Sequence, residues 1–313
     1  MTTSFLFPGQ GSQSPGMGKA LAEASAAARD VFQEVDDALS QNLSRLMFEG
    51  PADELTLTAN AQPAIMANSI AVLRILERDC GLRFSEAARF TAGHSLGEYT
   101  ALCAAGVASL TDVARLLRIR GDAMQAAVPV GEGAMAALLG LDFADAVAAA
   151  EEGSEGDEIC VAANDNAPGQ VVVSGHKAAV ERAIEAAKAR GAKRGMLLPV
   201  SAPFHSPLMQ PAAERMQAAL AEADFDTPTV AIVTNVTAGP ETDPPRLKQL
   251  LVEQVTGTVR WRESVAAMAE AGTERFVELG AKVVGPMVKR IAPDREPISL
   301  VTMDDIESFA KTL

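Results

Sequence analysis

Apolar positions along the chain follow two alternating rhythms. Short runs such as "SFLF" (4–7), "ARFTAGHS" (88–95) and "RFVELG" (275–280) have the apolar density of buried strands. Between them, spacings of three and four predict helices over about 17–40, 60–80 and 111–127. In the second of these, Ile65, Ser69, Val72, Leu73 and Leu76 recur at roughly helical spacing. A further helix is expected in "LGEYTALCAAG" (96–106), directly behind the strand 88–95. Strands that alternate with helices in this way predict an α/β layer with a largely parallel sheet.

Residues 133–200 change the rhythm. "GAMAALLGL" (133–141), "EICVAAND" (158–165), "GQVVVSGH" (169–176) and "AKRGMLLPV" (192–200) read as strands, with helices at "DFADAVAAAEE" and "KAAVERAIEAAKARG". The order β-α-β-β-α-β is that of a ferredoxin-like unit, and Asn166, Pro168 and Gly169 supply turn chemistry between its middle strands. A small domain, 129–199, is therefore expected as an insertion into a core made of 1–128 and 200–313. Beyond it come a loop "SAPFHSP" (201–207), a helix 208–223, a strand "TVAIVTNV" (229–236), a surface loop "PETDPP" and two helical stretches before "RFVELG". No internal repeat or low-complexity tract interrupts the pattern.

Composition narrows the function. With 313 residues, the chain is long enough to bury a substantial core. A net charge of −14, from 27 basic and 41 acidic residues, argues against a nucleic-acid surface, which needs a basic field. It leaves room for a local basic patch toward an acidic partner. Cys80, Cys103 and Cys160 are widely spaced and odd in number, which suits buried thiols in a reducing compartment. The start "MTTSFLFPGQGSQ" lacks the basic region of a signal peptide, and no apolar run is long enough to cross a bilayer. A cytoplasmic protein with no membrane partner is expected.

The chemistry concentrates in a few places. Gly93-His94-Ser95-Leu96-Gly97 fits G-x-S-x-G, which in many hydrolases presents a nucleophilic serine on a strand-to-helix turn; the plain alternative is a Gly-rich turn with an ordinary serine. Only His94, His176 and His205 are available as a base. His94 adjoins the serine on a sharp turn and is assigned a structural role, and His176 ends a small-domain strand as a solvated residue. His205 lies between two prolines, where a rigid loop holds an imidazole in a cleft, and it is the favoured base. No acidic residue between Ser95 and His205 stands at a convincing strand end, which counts against an ordinary esterase triad. The loop "FPGQGSQ" offers backbone N–H groups for an oxyanion alongside the amide of Leu96; its rival readings are a phosphate loop and a plain turn. Arg118 and Arg120 in "LLRIRGDAM" belong either to a solvated helix face or, pointing inward, to a carboxylate site.

With these pieces assembled, the chain resembles the malonyl-CoA:acyl carrier protein transacylases of fatty acid synthesis. The resemblance runs nearly end to end. It rests on "FPGQGSQ" (7–13), "QPA" (62–64), "GHSLGEYTAL" (93–102), "RGDAMQ" (120–125), "GAMAALLGL" (133–141), "NAPGQVVVSG" (166–175), "PVSAPFHSPLM" (199–209), "NVTA" (235–238) and "VRW" (259–261). It implies an α/β-hydrolase-like core with a parallel sheet and a ferredoxin-like insertion. Carried over by motif, it makes Ser95 the acyl-accepting nucleophile and His205 its general base, with the amides of Gln10 and Leu96 as oxyanion hole. Arg120 would hold the free carboxylate of the malonyl group. Gln254 would orient the histidine through its backbone carbonyl, and the bulk of Phe204 would exclude branched acyl groups. The resemblance implies malonyl-CoA as substrate, acyl carrier protein as partner, no metal or tightly held cofactor, and a monomer. One departure is visible: "ELGAKVVGPM" lacks the Gly-Pro-Gly common in the family after "E-[LIV]-G", so no site residue is carried over from that loop.

Competing readings are a serine thioesterase or esterase on the same core, a non-catalytic module that keeps the elbow as a turn, and a same-family transferase serving polyketide synthesis. The cluster Lys188, Arg190, Lys193 and Arg194 in "KARGAKRG" is either a docking patch for the carrier protein or a solvated helix end.

Overall fold

The computed structural model describes residues 1–200 and 202–313; Ser201, which opens the expected loop 201–207, lies outside the described residues. The described strands, in chain order, are β1 (Thr3–Phe7), β2 (Ala88–Gly93), β3 (Gly133–Leu139), β4 (Cys160–Ala167), β5 (Gln170–His176), β6 (Arg194–Leu197), β7 (Ile232–Val233), β8 (Pro240–Glu241), β9 (Arg275–Leu279) and β10 (Glu296–Leu300). They form two sheets, β10-β9-β1-β2-β7-β8 and β4-β5-β3-β6.

The larger sheet is parallel from β10 to β7, with only β8 antiparallel. Its strands are apolar on both faces because both faces are covered. Along β1 the side chains alternate: Phe5 and Phe7 join the cluster under the helices Ala26–Leu39, Thr58–Arg78 and Leu110–Ala126, while Leu6 packs with Trp261, Val265 and Phe276 on the other side. Burial of side chains this large stabilises by roughly 1.5–3 kcal/mol each. Phe7 pairs with Gly93 in register, so β1 and β2 end at the same level and the loops after them meet. Ligands in open α/β sheets sit beyond the carboxyl ends of the strands, and this is where the candidate site lies.

The smaller sheet is antiparallel and is built by a β-α-β-β-α-β run, with the helices Phe143–Gly153 and Lys177–Ala189 on one face. Its core is rich in alanine, including Ala146, Ala149, Ala150, Ala179, Ala183 and Ala187, and such small side chains allow close approach of the helices. The end of β4 ties this unit to the larger one. Asn164 bridges to Val259, and Arg262 Nε donates to Asp165 Oδ1 and Oδ2 at 3.0 and 2.9 Å.

Some elements differ in extent from expectation. The predicted helix 17–40 breaks at Ser25, whose Oγ accepts the Ala27 N–H at 3.1 Å and so starts the next helix. The expected strand 229–236 keeps only Ile232–Val233, because the chain turns at Thr234–Ala238, with Ala238 at φ 55°. The carboxyl-terminal stretch, which carries no sequence expectation, adds β10 and the helices Gly285–Ile291 and Met303–Ala310. Among the described residues, no helix is long and apolar enough to cross a membrane.

Candidate active site

The strand-to-helix turn after β2 holds Ser95 at φ 52° and ψ −109°, a conformation that L-residues rarely adopt, and the helix Leu96–Ala104 begins at once. Sterics dictate the two glycines around it. A Cβ on Gly93 would lie 1.8 Å from the Gly97 carbonyl carbon, and one on Gly97 would lie 2.4 Å from the Phe7 oxygen. Strain of this kind costs on the order of 1–3 kcal/mol and persists only where neighbours over-determine it. Here the Ser95 amide donates to Asn235 Oδ1 at 2.8 Å, Gln254 Nε2 donates to the Ser95 carbonyl at 3.0 Å, and Asn235 Nδ2 donates to the Gly93 carbonyl at 2.7 Å.

His205 is buried and also has a positive φ, 56°. Its Nδ1 lies 2.9 Å from the Gln254 carbonyl and its Nε2 lies 2.8 Å from Ser95 Oγ. A carbonyl only accepts, so Nδ1 carries the proton and the Nε2 lone pair faces the serine hydroxyl. Burial, reinforced by the charge of Arg120, pulls the imidazole from its ordinary 6.5 down to about 3. The histidine is neutral across ordinary pH.

Arg120, on the helix Leu110–Ala126, points inward and is 1% exposed. Nη1 donates to Gln62 Oε1 at 2.9 Å, and Nη2 donates to Gln254 Oε1 at 2.9 Å and to Ser95 Oγ at 3.1 Å. All of these acceptors are neutral, and Nε has no partner among the described residues. Burial pulls its pKa down, while the nearby Tyr99 and Glu98 oppose that shift. The buried Glu98 carboxylate reaches Arg120 only through the Gln254 carboxamide: Glu98 Oε2 accepts from Gln254 Nε2 at 2.9 Å and from the Asn235 amide at 3.0 Å. Burial pushes the Glu98 carboxyl up to about 7.

Ser95, His205, Arg120 and Gln62 line a cleft of about 350 Å³ between the two sheets. Gln10 and Leu96 also line it, and neither backbone N–H has a hydrogen-bond partner among the described residues. Phe204, Met124, Met135, Val172 and Met287 form much of its apolar wall. Among the described residues, no group of three or more His, Cys, Asp or Glu side chains is placed to hold a metal ion.

Ser95, His205, Arg120 and Gln254 thus come together in one hydrogen-bonded cluster, with Gln10 and Leu96 on the same cleft. His94 Nε2 lies 2.7 Å from Asn166 Oδ1, and its ring packs edge-on against Trp261. His176 is not simply solvated as expected, since its Nδ1 accepts the Ile159 N–H at 3.0 Å. Arg118 turns away to Gln41. In the basic cluster, Lys188 pairs with Glu185 and Arg190 with Glu152, so only Lys193 and Arg194 stand exposed without an ion-pair partner among the described residues.

Sequence reasoning missed Asn235, Glu98 and Gln62 as site residues. They lie inside the motifs "NVTA", "GHSLGEYTAL" and "QPA", but only the folded contacts give them tasks. The loop in "ELGAKVVGPM" contributes too. Glu278 accepts the amides of Val283, Val284 and Gly285 at 2.7, 3.0 and 2.8 Å, which sets Val283 and Met287 on the cleft.

The acyl transferase domain family matches residues 4–288. The malonyl CoA-acyl carrier protein transacylase of Bacillus subtilis (strain 168) is 45% identical, over 99% of this chain and 96% of its own length. Among solved structures, the acyl-carrier-protein-S-malonyltransferase of Bartonella henselae is 55% identical, with a TM-score of 0.97 over 100% of this chain and 99% of that one. A type II PKS acyl-carrier protein in complex with its malonyl-transacylase, PlMCAT:AntF, matches with a TM-score of 0.96 at 38% identity, over 100% of both chains. With the match covering nearly the whole chain, this protein belongs to the acyl transferase family and, within it, to the malonyl CoA-acyl carrier protein transacylases.

Proposed function

We propose that the protein moves a malonyl group from coenzyme A to the phosphopantetheine thiol of acyl carrier protein by way of a malonyl ester on Ser95. The observation that carries this reading is Arg120, a buried guanidinium whose hydrogen bonds go to neutral oxygens beside the serine hydroxyl. A buried cation with no carboxylate in direct contact is costly. A substrate carboxylate would complete it through two parallel hydrogen bonds.

In the first half-reaction Ser95 Oγ attacks the thioester carbonyl while its proton passes to His205 Nε2. The negative charge that develops on the carbonyl oxygen is taken by the amides of Gln10 and Leu96. Collapse of the intermediate breaks the carbon–sulfur bond, and the imidazolium returns its proton to the departing thiolate. In the second half-reaction the carrier thiol gives its proton to His205 and attacks the ester, and Ser95 leaves as an oxyanion that His205 reprotonates. The Gln254 carbonyl keeps Nδ1 protonated throughout, in the place of a triad carboxylate. A malonyl carboxylate on Arg120 would also cancel part of the charge that holds the His205 pKa down, so the correct substrate strengthens its own base. Phe204 beside His205 limits the acyl side of the cleft to small unbranched groups.

In this reading the larger sheet and its helices, 1–128 and 200–313, form an α/β-hydrolase-like core, and 129–199 form a ferredoxin-like domain that closes the cleft. The β4-β5-β3-β6 order supports the second part. No metal or resident cofactor is required. The match to a type II PKS malonyl-transacylase supports a second reading of the pathway, in which the same transfer serves polyketide synthesis. The chemistry is unchanged.

The test is product partition. The protein is incubated with malonyl-CoA and holo acyl carrier protein, and malonyl-carrier and free malonate are quantified together. Malonyl-carrier as the dominant product supports the transferase; malonate as the dominant product with the carrier left unloaded would make it a thioesterase.

A further inference from the structure

Glu98 sits in the first turn of the helix Leu96–Ala104, just after the serine, yet it is 1% exposed. A carboxylate so buried is kept only when its partners need it. Its Oε2 accepts two donors, the Asn235 amide at 3.0 Å and Gln254 Nε2 at 2.9 Å. These two residues do the rest of the holding. Asn235 fixes the Gly93 carbonyl and the Ser95 amide on either side of the strained turn. Gln254 Nε2 fixes the Ser95 carbonyl, its Oε1 takes Arg120 Nη2, and its main-chain oxygen takes His205 Nδ1. The Gln254 carboxamide has two orientations, and only the one with nitrogen toward Glu98 presents oxygen to the guanidinium. One acceptor therefore stands behind both the serine turn and the arginine. The charged or ionisable side chains acting on this cluster are Arg120, Tyr99, His205 and His94.

We propose that Glu98 is a positioning residue for acyl transfer: its Oε2 anchors the main-chain N–H of Asn235 and the side chain of Gln254, the two residues that clamp the Ser95 turn and orient Arg120. This rests on the functional reading above for its malonyl half, and on geometry alone for its serine half. What Glu98 supplies is an acceptor at one point in space, so a neutral acceptor at that point serves as well. Glu98→Gln keeps it. Glu98→Met keeps the volume and removes it. Glu98→Asp keeps the charge and withdraws it by one methylene.

The experiment uses the full chain and two readouts, with folding checked by circular dichroism. The first is the rate at which a fluorophosphonate labels Ser95, which does not depend on the acyl group. The second is the ratio of kcat/KM for malonyl-CoA over acetyl-CoA. Glu98→Gln is expected within about threefold of the parent on both, while Glu98→Met and Glu98→Asp each fall about tenfold or more, the scale of a lost hydrogen bond to a charged group. If Glu98→Met does not fold, Glu98→Asp decides by the same comparison. Parent-like labelling and selectivity in a folded Glu98→Met or Glu98→Asp protein overturn the proposal, as does a loss in Glu98→Gln equal to theirs. A parent that labels with the fluorophosphonate but never takes malonyl overturns the functional reading instead, and the labelling rates then decide the clamp by themselves.

Discussion

Arg120 Nη2 lies 3.1 Å from Ser95 Oγ, so the guanidinium stands at the hydroxyl itself. In a malonyl ester one methylene separates the carboxylate from the carbonyl carbon. An acyl group on Oγ would bring its carboxylate to the guanidinium with no spacer between them. In the proposed reading a longer diacid would overshoot, and acetyl would leave the desolvated arginine with neutral acceptors alone.

Arg120→Ala is therefore expected to lower kcat/KM for malonyl-CoA by about 10²–10³-fold, from the roughly 3–5 kcal/mol at stake when one partner of a buried ion pair is removed. Acetyl-CoA should lose far less. Arg120→Lys should recover only part of the malonyl activity, because an ammonium cannot reproduce the fork. Equal losses for both substrates would make Arg120 a structural residue.

His205 sets a pH dependence whose sign follows from its displaced pKa. In the unfolded chain it takes a proton near 6.5, and in the folded protein only near 3. Between these values the unfolded state holds the extra proton, so this contribution to stability is complete above 6.5 and is lost as the pH falls toward 3. Thermal unfolding of the parent and of His205→Ala should diverge in that window, the parent losing more with acid. The same displacement keeps the base neutral, so Ser95 labelling by a fluorophosphonate should show no drop near pH 6.5. Glu98 also titrates near there, at about 7, so an inflection that persists in Glu98→Gln would contradict the buried, neutral imidazole.

Gly93 and Gly97 are held by backbone on every side. Gly97→Ala would drive a methyl to 2.4 Å from the Phe7 oxygen, and Gly93→Ala would bring one to 1.8 Å from the Gly97 carbonyl carbon. Neither contact can be relieved by a rotamer change. Both variants are expected to lose roughly 3 kcal/mol or more of stability and to lose Ser95 reactivity with it. A melting temperature within a degree or two of the parent would show that the turn is looser than the structure has it.

Lys193 and Arg194 remain exposed without an ion-pair partner among the described residues, whereas Lys188 and Arg190 are paired with acids. Reversing both, Lys193→Glu with Arg194→Glu, is expected to raise KM for an acidic carrier protein severalfold, with an effect that shrinks at high salt. Loading from malonyl-CoA should not change. Equal effects on the two half-reactions would rule out docking at this patch.

Much of the core was legible because its signals are local. The strand-turn-helix around Ser95 follows from two glycines and the apolar run before them, and His205 emerged from a field of three histidines. The β-α-β-β-α-β run was readable from periodicity alone. What was not legible depends on contacts distant in sequence. Gln254 acts partly through a main-chain carbonyl, which has no residue signature, and it entered the sequence reading only through family resemblance. Arg120, between Ile119 and Gly121, reads as either a solvated or an inward residue, and only the packing of its helix shows that it points inward. Asn235 and Glu98 look like an ordinary turn residue and an ordinary helix-start acid until the fold joins them, 137 residues apart. Lys188 and Arg190 have acid partners, Glu185 and Glu152, that a run of basic letters does not show.

The central claim is that malonyl is carried on Ser95 and activated there by His205. The most direct measurement is intact-mass analysis, with peptide mapping, after brief exposure to malonyl-CoA with no acceptor present. The parent should carry a single malonyl group on the peptide containing Ser95, His205→Ala should acquire it far more slowly while remaining folded, and Ser95→Ala should carry none. A malonyl adduct that persists in Ser95→Ala, or a parent that turns over malonyl-CoA without ever being acylated, would contradict the account.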